Sequence, residues 1–131
     1  MPMALVIRNP STIAPPAGRY SHAVELPANA RLVFASGQVG VDKNGKAGAT
    51  IEKQCENAWK NVMAILKDAR MGPQDLVRIQ VFLTDPRFIP VYRSVRDQFI
   101  GPVPPASTLL IVSALADPAF LVEIEAIAAK A

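Results

Sequence analysis

Glu123 and Glu125 lie two residues apart in an alternating apolar and polar segment, LVEIEAIA over 121–128. On a strand, that spacing turns both carboxylates to one face and Val122, Ile124 and Ala126 to the other. A carboxylate so placed can orient or deprotonate water as a general base, or simply form a solvated polar face. Arg19-Tyr20-Ser21 sets a cation and two hydroxyls where a loop runs into a strand. Ser36 and Gly37 are small, so backbone N–H groups there can approach a substrate oxygen closely. The single histidine, His22, adjoins the 19–21 segment. The single cysteine, Cys55, falls on the apolar face of a helical pattern, where a buried thiol is inert. Trp59, at helical spacing from Cys55, belongs to a core or an interface. One His and one Cys cannot make a zinc site of the usual His/Cys kind. No GxxxxGK[ST] segment is present, and the glycines at 37, 40, 45 and 48 surround a charged turn instead of opening a helix. No metal and no cofactor is expected.

The elements that must position these groups follow from periodicity. Residues 3–8 form a short apolar edge strand, and 9–19 a loop. Residues 21–26 and 31–36 are strand-like and suggest a hairpin about Pro27-Ala28-Asn29-Ala30. Residues 50–70 carry apolar groups at helical spacing behind a Thr50 N-cap, and Gly72-Pro73 ends that helix. Val77, Ile79, Val81 and Leu83 alternate with Arg78, Gln80, Phe82 and Thr84, the pattern of a half-buried strand. Asp85-Pro86 opens a second helix to about residue 100, with Val91, Val95 and Phe99 on one face and Pro90 disturbing its first turn. Residues 108–113 and 121–128 complete the strands. The order β-β-β-α-β-α-β-β predicts an α+β domain over 1–131, two helices on one face of a mixed sheet. The strands are apolar on both faces, so the second face is expected to meet another subunit in a closed homo-oligomer.

Composition narrows the partners. Half of the 131 residues are hydrophobic and 19% are charged, which excludes a disordered chain. The net charge of +3 is spread along the chain without a Lys/Arg run, which argues against a nucleic-acid partner. The longest apolar stretches are too short for a bilayer, and the N-terminus lacks a signal-peptide core. A lone cysteine fits a reducing, cytoplasmic setting. Twelve prolines punctuate junctions within one fold.

Several segments together resemble the RidA/YjgF (Rid) family, which has a chorismate mutase-like fold. GRYSHAV (18–24) is similar to that family's GPYSQAV-like segment, and FASGQV (34–39) to its VSGQ(I/V). NVMAIL (61–66) resembles NIKAIL, VFLTD (81–85) matches VFLTD, residues 88–99 fit the second helix, and 121–128 matches the closing strand. The resemblance spans nearly the whole chain, in order. It implies a homotrimer with three intersubunit clefts that bind a small molecule. In the best-described branch the activity is hydrolysis of reactive enamines or imines to a 2-oxo acid and ammonia. There an arginine in a P-A-R-S/T segment holds the substrate carboxylate, and a glutamate on the last strand orients the water.

Glu123 matches that glutamate. Ser107, in Pro105-Ala106-Ser107-Thr108, stands where the arginine should be, which places the chain with the arginine-lacking subgroups and removes the charge used in standard 2-imino acid deamination. Arg19 replaces the proline of GPY, and Tyr92 stands where the family often has Asn. The expected cleft is lined by Arg19, Tyr20, Ser36, Gly37, Tyr92 and Ser107, with Glu123 as base. Enamine or imine hydrolysis, or related C–N chemistry, is one reading. A non-catalytic, small-molecule-binding or regulatory trimer is the alternative.

Overall fold

The computed structural model describes residues 5–131. Its order of elements is the one periodicity predicts: β1 (Val6–Arg8), β2 (Ala23–Glu25), β3 (Arg31–Val39), α1 (Ile51–Asp68), β4 (Leu76–Leu83), α2 (Ile89–Arg96), β5 (Ala106–Ile111) and β6 (Val122–Lys130). The start of the expected first strand, at 3 and 4, lies outside the described residues.

The principal sheet runs β3-β6-β4-β5, antiparallel except for the parallel pair β4–β5, and is therefore mixed. The expected hairpin between β2 and β3 does not form. β2 pairs with β1 in a separate two-stranded ribbon, and β3 pairs along β6 instead. β6 offers a long partner that buries Ile124, Ala126 and Ala128 beside Val33 and Ala35. β2 spans three residues and runs toward Pro27, which has no N–H to give a ladder. A register shift between Ala35 and Gln38 puts Ser36 and Gly37 in a bulge of β3.

Helix α1 begins where Thr50 Oγ1 accepts the Lys53 N–H at 3.1 Å. It buries Cys55, Ala58, Trp59, Val62 and Leu66 completely, against β3 and β6 on one side and α2 on the other. Arg70, at φ +59°, turns the chain out of the helix, and Met71 N–H closes on the Leu66 carbonyl at 2.8 Å. The second helix is shorter than expected. Pro86–Phe88 form a 3-10 turn, in which Asp85 accepts the Arg87 N–H at 2.8 Å, and α2 proper begins only at Ile89. Its inward face carries Tyr92 and Val95, at i and i+3, and Phe99, beyond the end of the helix, packs against the same core.

Both helices leave the other face of the sheet open. That face carries Phe34, 71% exposed, with Leu32, Leu110, Phe82 and Ile127 beside Glu123, Glu125, Arg78 and Gln80. Among the described residues no helix is long and apolar enough to cross a membrane.

Candidate functional site

The expected site residues fall into two groups within one chain. The first group is on the open face. Glu123 stands on β6 between Val39 of β3 and Phe82 of β4. Its neighbours in sequence, Val122 and Ile124, are fully buried on the helix side, and this alternation turns the glutamate outward. The carboxyl packs directly over Gly37: a Cβ at position 37 would lie 2.6 Å from Glu123 Cδ and 2.9 Å from Cγ. The bulge at Ser36–Gly37 thus makes room for the carboxylate, and with the carboxyl in this position only a residue without a side chain fits beneath it. Among the described residues the Glu123 side chain has no hydrogen-bond or ion-pair partner. It is half-buried and can accept from water or a ligand.

The second group is at the β5 edge. Ser21 joins it to the sheet: its N–H donates to Pro105 O at 2.9 Å, and its hydroxyl to Pro104 O at 2.5 Å. This fixes Arg19 and Tyr20 beside the start of β5, where Ser107 lies. Tyr20 accepts the Ala17 N–H at 3.2 Å on its hydroxyl and stands edge-on to His22, with ring centroids 6.3 Å apart. Arg19 is already engaged: Nη1 contacts Asp97 Oδ1 at 3.2 Å and Nη2 donates to Gly101 O at 2.8 Å. Asp97 also receives Arg96, at 3.0 and 3.1 Å. Nothing in the sequence signals the Arg19–Asp97 pair, whose members are 78 positions apart.

The two groups do not meet within one chain. Ser107 pairs with Ile79, a core residue, and so belongs to the helix side of the sheet, whereas Glu123 faces the other way. Glu123 pairs with Phe82, and Phe82 with Leu110, three residues beyond Ser107. At about 4.8 Å per strand and about 3.3 Å per residue, the Cα atoms of Ser107 and Glu123 are about 14 Å apart.

Tyr92 belongs to neither group. It was expected on a cleft wall, but it is 1% exposed and packs in the helix core. The reason is the helical phase: Tyr92 falls with Val95 on the face turned to α1, and Val91 does not. Burial pushes its hydroxyl well above the ordinary tyrosine range. Burial also pushes the Cys55 thiol up to about 12, helped by the nearby Glu52 and Glu56 carboxylates, so Cys55 remains a neutral thiol at physiological pH.

A depression of about 250 Å³ on the open face is lined by Phe34, Ser36, Arg78, Gln80, Glu125 and Ile127; of the two glutamates on this face its wall takes in Glu125 and not Glu123. Sequence reasoning passed over Arg78 as a strand-face residue; its alternation with Gln80 and Phe82 was the available signal. An apolar cleft of about 370 Å³ between Ile7 and the 101–104 loop contains none of the expected residues. No group of three or more His, Cys, Asp or Glu among the described residues is placed to hold a metal.

Comparison with known proteins agrees with this architecture. A family model described as endoribonuclease L-PSP matches residues 11–130. A RutC family protein of Pyrococcus abyssi is 31% identical over 117 residues, covering 88% of this chain and 89% of that protein. A solved Rid-family protein of Yersinia pestis superposes with a TM-score of 0.85 at 30% identity, over 96% of this chain and 98% of that one. The structure of E. coli TdcF with bound serine gives a TM-score of 0.72 at 27% identity, over 88% and 91% of the two chains. With a matching family model over nearly its whole length and relatives that share its fold, the chain belongs to the Rid (RutC, endoribonuclease L-PSP) family.

Proposed function

We propose that this protein hydrolyses a small imine or enamine in a cleft closed by two copies of the chain, with Glu123 activating the water. Membership of the Rid family supports a role with a small metabolite. The observation that carries the chemical reading is the Glu123 carboxylate, without a partner among the described residues, on the open face and seated over Gly37. The serine bound to E. coli TdcF supports a small, carboxylate-bearing ligand.

In the proposed reaction, water held by Glu123 attacks the imine carbon. A C–O bond forms as the C=N π bond breaks, the water gives one proton to Glu123, and Glu123 passes it to the nitrogen to give a neutral carbinolamine. Collapse of this carbinolamine breaks the C–N bond. Glu123 takes the hydroxyl proton as the C=O bond forms and hands it to the departing nitrogen, leaving a carbonyl compound and ammonia. Overall, one imine and one water are consumed.

Glu123 and Ser107 belong to opposite faces, so a shared cleft needs Glu123, Ser36 and Gly37 from one copy and Arg19, Tyr20 and Ser107 from the next. A homotrimer provides three such clefts and covers the apolar open face. The setting proposed for it is the cytoplasm.

Ser107 stands where the resemblance puts an arginine. Losing a charge-assisted hydrogen bond worth about 1.5–3 kcal/mol weakens carboxylate binding roughly 10- to 150-fold. Arg19 is the available cation. Its pair with Asp97 is 40% and 42% exposed, and such surface pairs contribute only about 0–1 kcal/mol. A substrate carboxylate can therefore compete for Arg19, and Asp97 retains Arg96 when it does.

The test is hydrolysis of 2-iminobutanoate generated in situ by wild type, Ser107→Arg, Arg19→Ala and Glu123→Gln. Activity in wild type that is lost in Glu123→Gln and in Arg19→Ala is the expected result. Activity appearing only in Ser107→Arg would point to a pocket retuned for another imine. Inert wild type and inert Ser107→Arg would favour a binding protein without turnover.

A further inference from the structure

Gln54 is 3% exposed in the first turn of α1, and its amide is fully engaged across two elements. Its Nε2 donates to Gly48 O at 3.1 Å and to Ala119 O at 2.9 Å, and its Oε1 accepts the Leu121 N–H at 2.9 Å. The Ala119 and Leu121 bonds hold the entry to β6, two residues before Glu123. The Gly48 bond holds the segment that returns from β3, where Gly48 N–H donates to Gly40 O at 3.0 Å. Gly40 follows Val39, the residue that pairs with Glu123. Gly40 also lies flat on the helix, since a Cβ there would come within 2.5 Å of the Gln54 Cα and carbonyl oxygen.

We propose that Gln54 is a positioning residue for the Glu123–Gly37 pair. One side chain ties the start of the strand that carries the carboxylate to Gly48, which in turn bonds Gly40, just past the end of the strand that carries the glycine beneath it. Catalytic groups need to be held within about 0.5 Å of their working geometry by the residues behind them. Glu123, with no protein partner of its own among the described residues, takes its position from the two strands. Replacing Gln54 by an apolar residue of similar length leaves Leu121 N–H and two carbonyls unpaired, so the strand ends lose their common anchor. This inference rests on reading Glu123 as the working group, but its test does not depend on turnover.

The test is a pH titration followed by the Gly37 amide resonance in 15N-labelled protein. In wild type, ionisation of Glu123 above Gly37 moves that resonance, and Glu123→Gln abolishes the movement. In Gln54→Met the amplitude falls, because a charge acts on the amide more weakly as it moves away. Val95→Ala, which opens a cavity between the helices away from the anchor, lowers stability and leaves the amplitude intact. Gln54→Asn, too short to reach both elements, gives the same loss as Gln54→Met and serves if the latter does not fold. Wild-type amplitude in either Gln54 variant, an equal loss in Val95→Ala, or a Gly37 titration that survives Glu123→Gln would each overturn the proposal. A negative imine assay alongside a collapsed Gly37 titration would overturn the hydrolase reading and leave the positioning role standing.

Discussion

Substituting Gly37 by alanine should separate the site from the fold. The new methyl would lie 2.6 Å from Glu123 Cδ and 2.9 Å from Cγ. Carbon atoms pack at about 3.5–4.0 Å, so the carboxyl must retreat by about 1 Å. The group that moves is the end of a flexible side chain, so the fold yields cheaply. Gly37 is not among the residues with positive φ, and alanine on such backbone gains about 0.4–1 kcal/mol by restricting the unfolded chain. The two effects oppose each other, and the melting temperature should move by no more than about 5 °C. Activity should not be spared, because a displacement of about 1 Å at a reacting group costs on the order of 10²-fold. The assay is kcat/KM on the imine that wild type hydrolyses, measured beside a thermal melt. Gly45→Ala is the control with the opposite signature: φ is +80° there and no other group lies within 4 Å, so it strains the turn by about 1–2 kcal/mol and leaves kcat/KM unchanged. A folded Gly37→Ala protein with wild-type kcat/KM would refute the assignment of Glu123 to the chemistry.

Gly40→Ala should fail differently: its methyl meets Gln54 backbone at 2.5 Å, which cannot swing aside, and overpacking of this kind costs about 1–3 kcal/mol in a urea melt. Cys55 makes stability fall in alkali. Burial raises its pKa from the ordinary 9.0 to about 12, so its contribution is complete below pH 9.0 and is lost as pH rises toward 12, at up to about 1.4 kcal/mol per pH unit. Urea melts across that window should show a shallower fall for Cys55→Ala; an identical slope would remove the thiol from the account. Phe34→Asp places a charge at the most exposed large apolar side chain of the open face, and sedimentation should then show a smaller particle than wild type if copies of the chain cover that face.

The sequence alone determined the order of the elements, the mixed α+β layer and the direction of Glu123. These depend on local periodicity: the alternation through 121–128 and the helical spacing of Cys55, Trp59, Val62 and Leu66 each encode a face without reference to the rest of the chain. Cys55 was legible as an inert thiol for the same reason. The tertiary structure decided what depends on partners distant in sequence. β3 joins β6 instead of β2 because pairing follows the longest strand that buries its apolar face, and no local signal states that choice. Tyr92 went to the core because the face of α2 that carries it with Val95 is the one packed against α1. Asp97 came to hold Arg19, and Gln54 came to hold the entry to β6 at Ala119 and Leu121, through contacts that span dozens of residues. The face of each side chain was set by its neighbours in sequence, whereas the company it keeps was set by how the strands and helices pack.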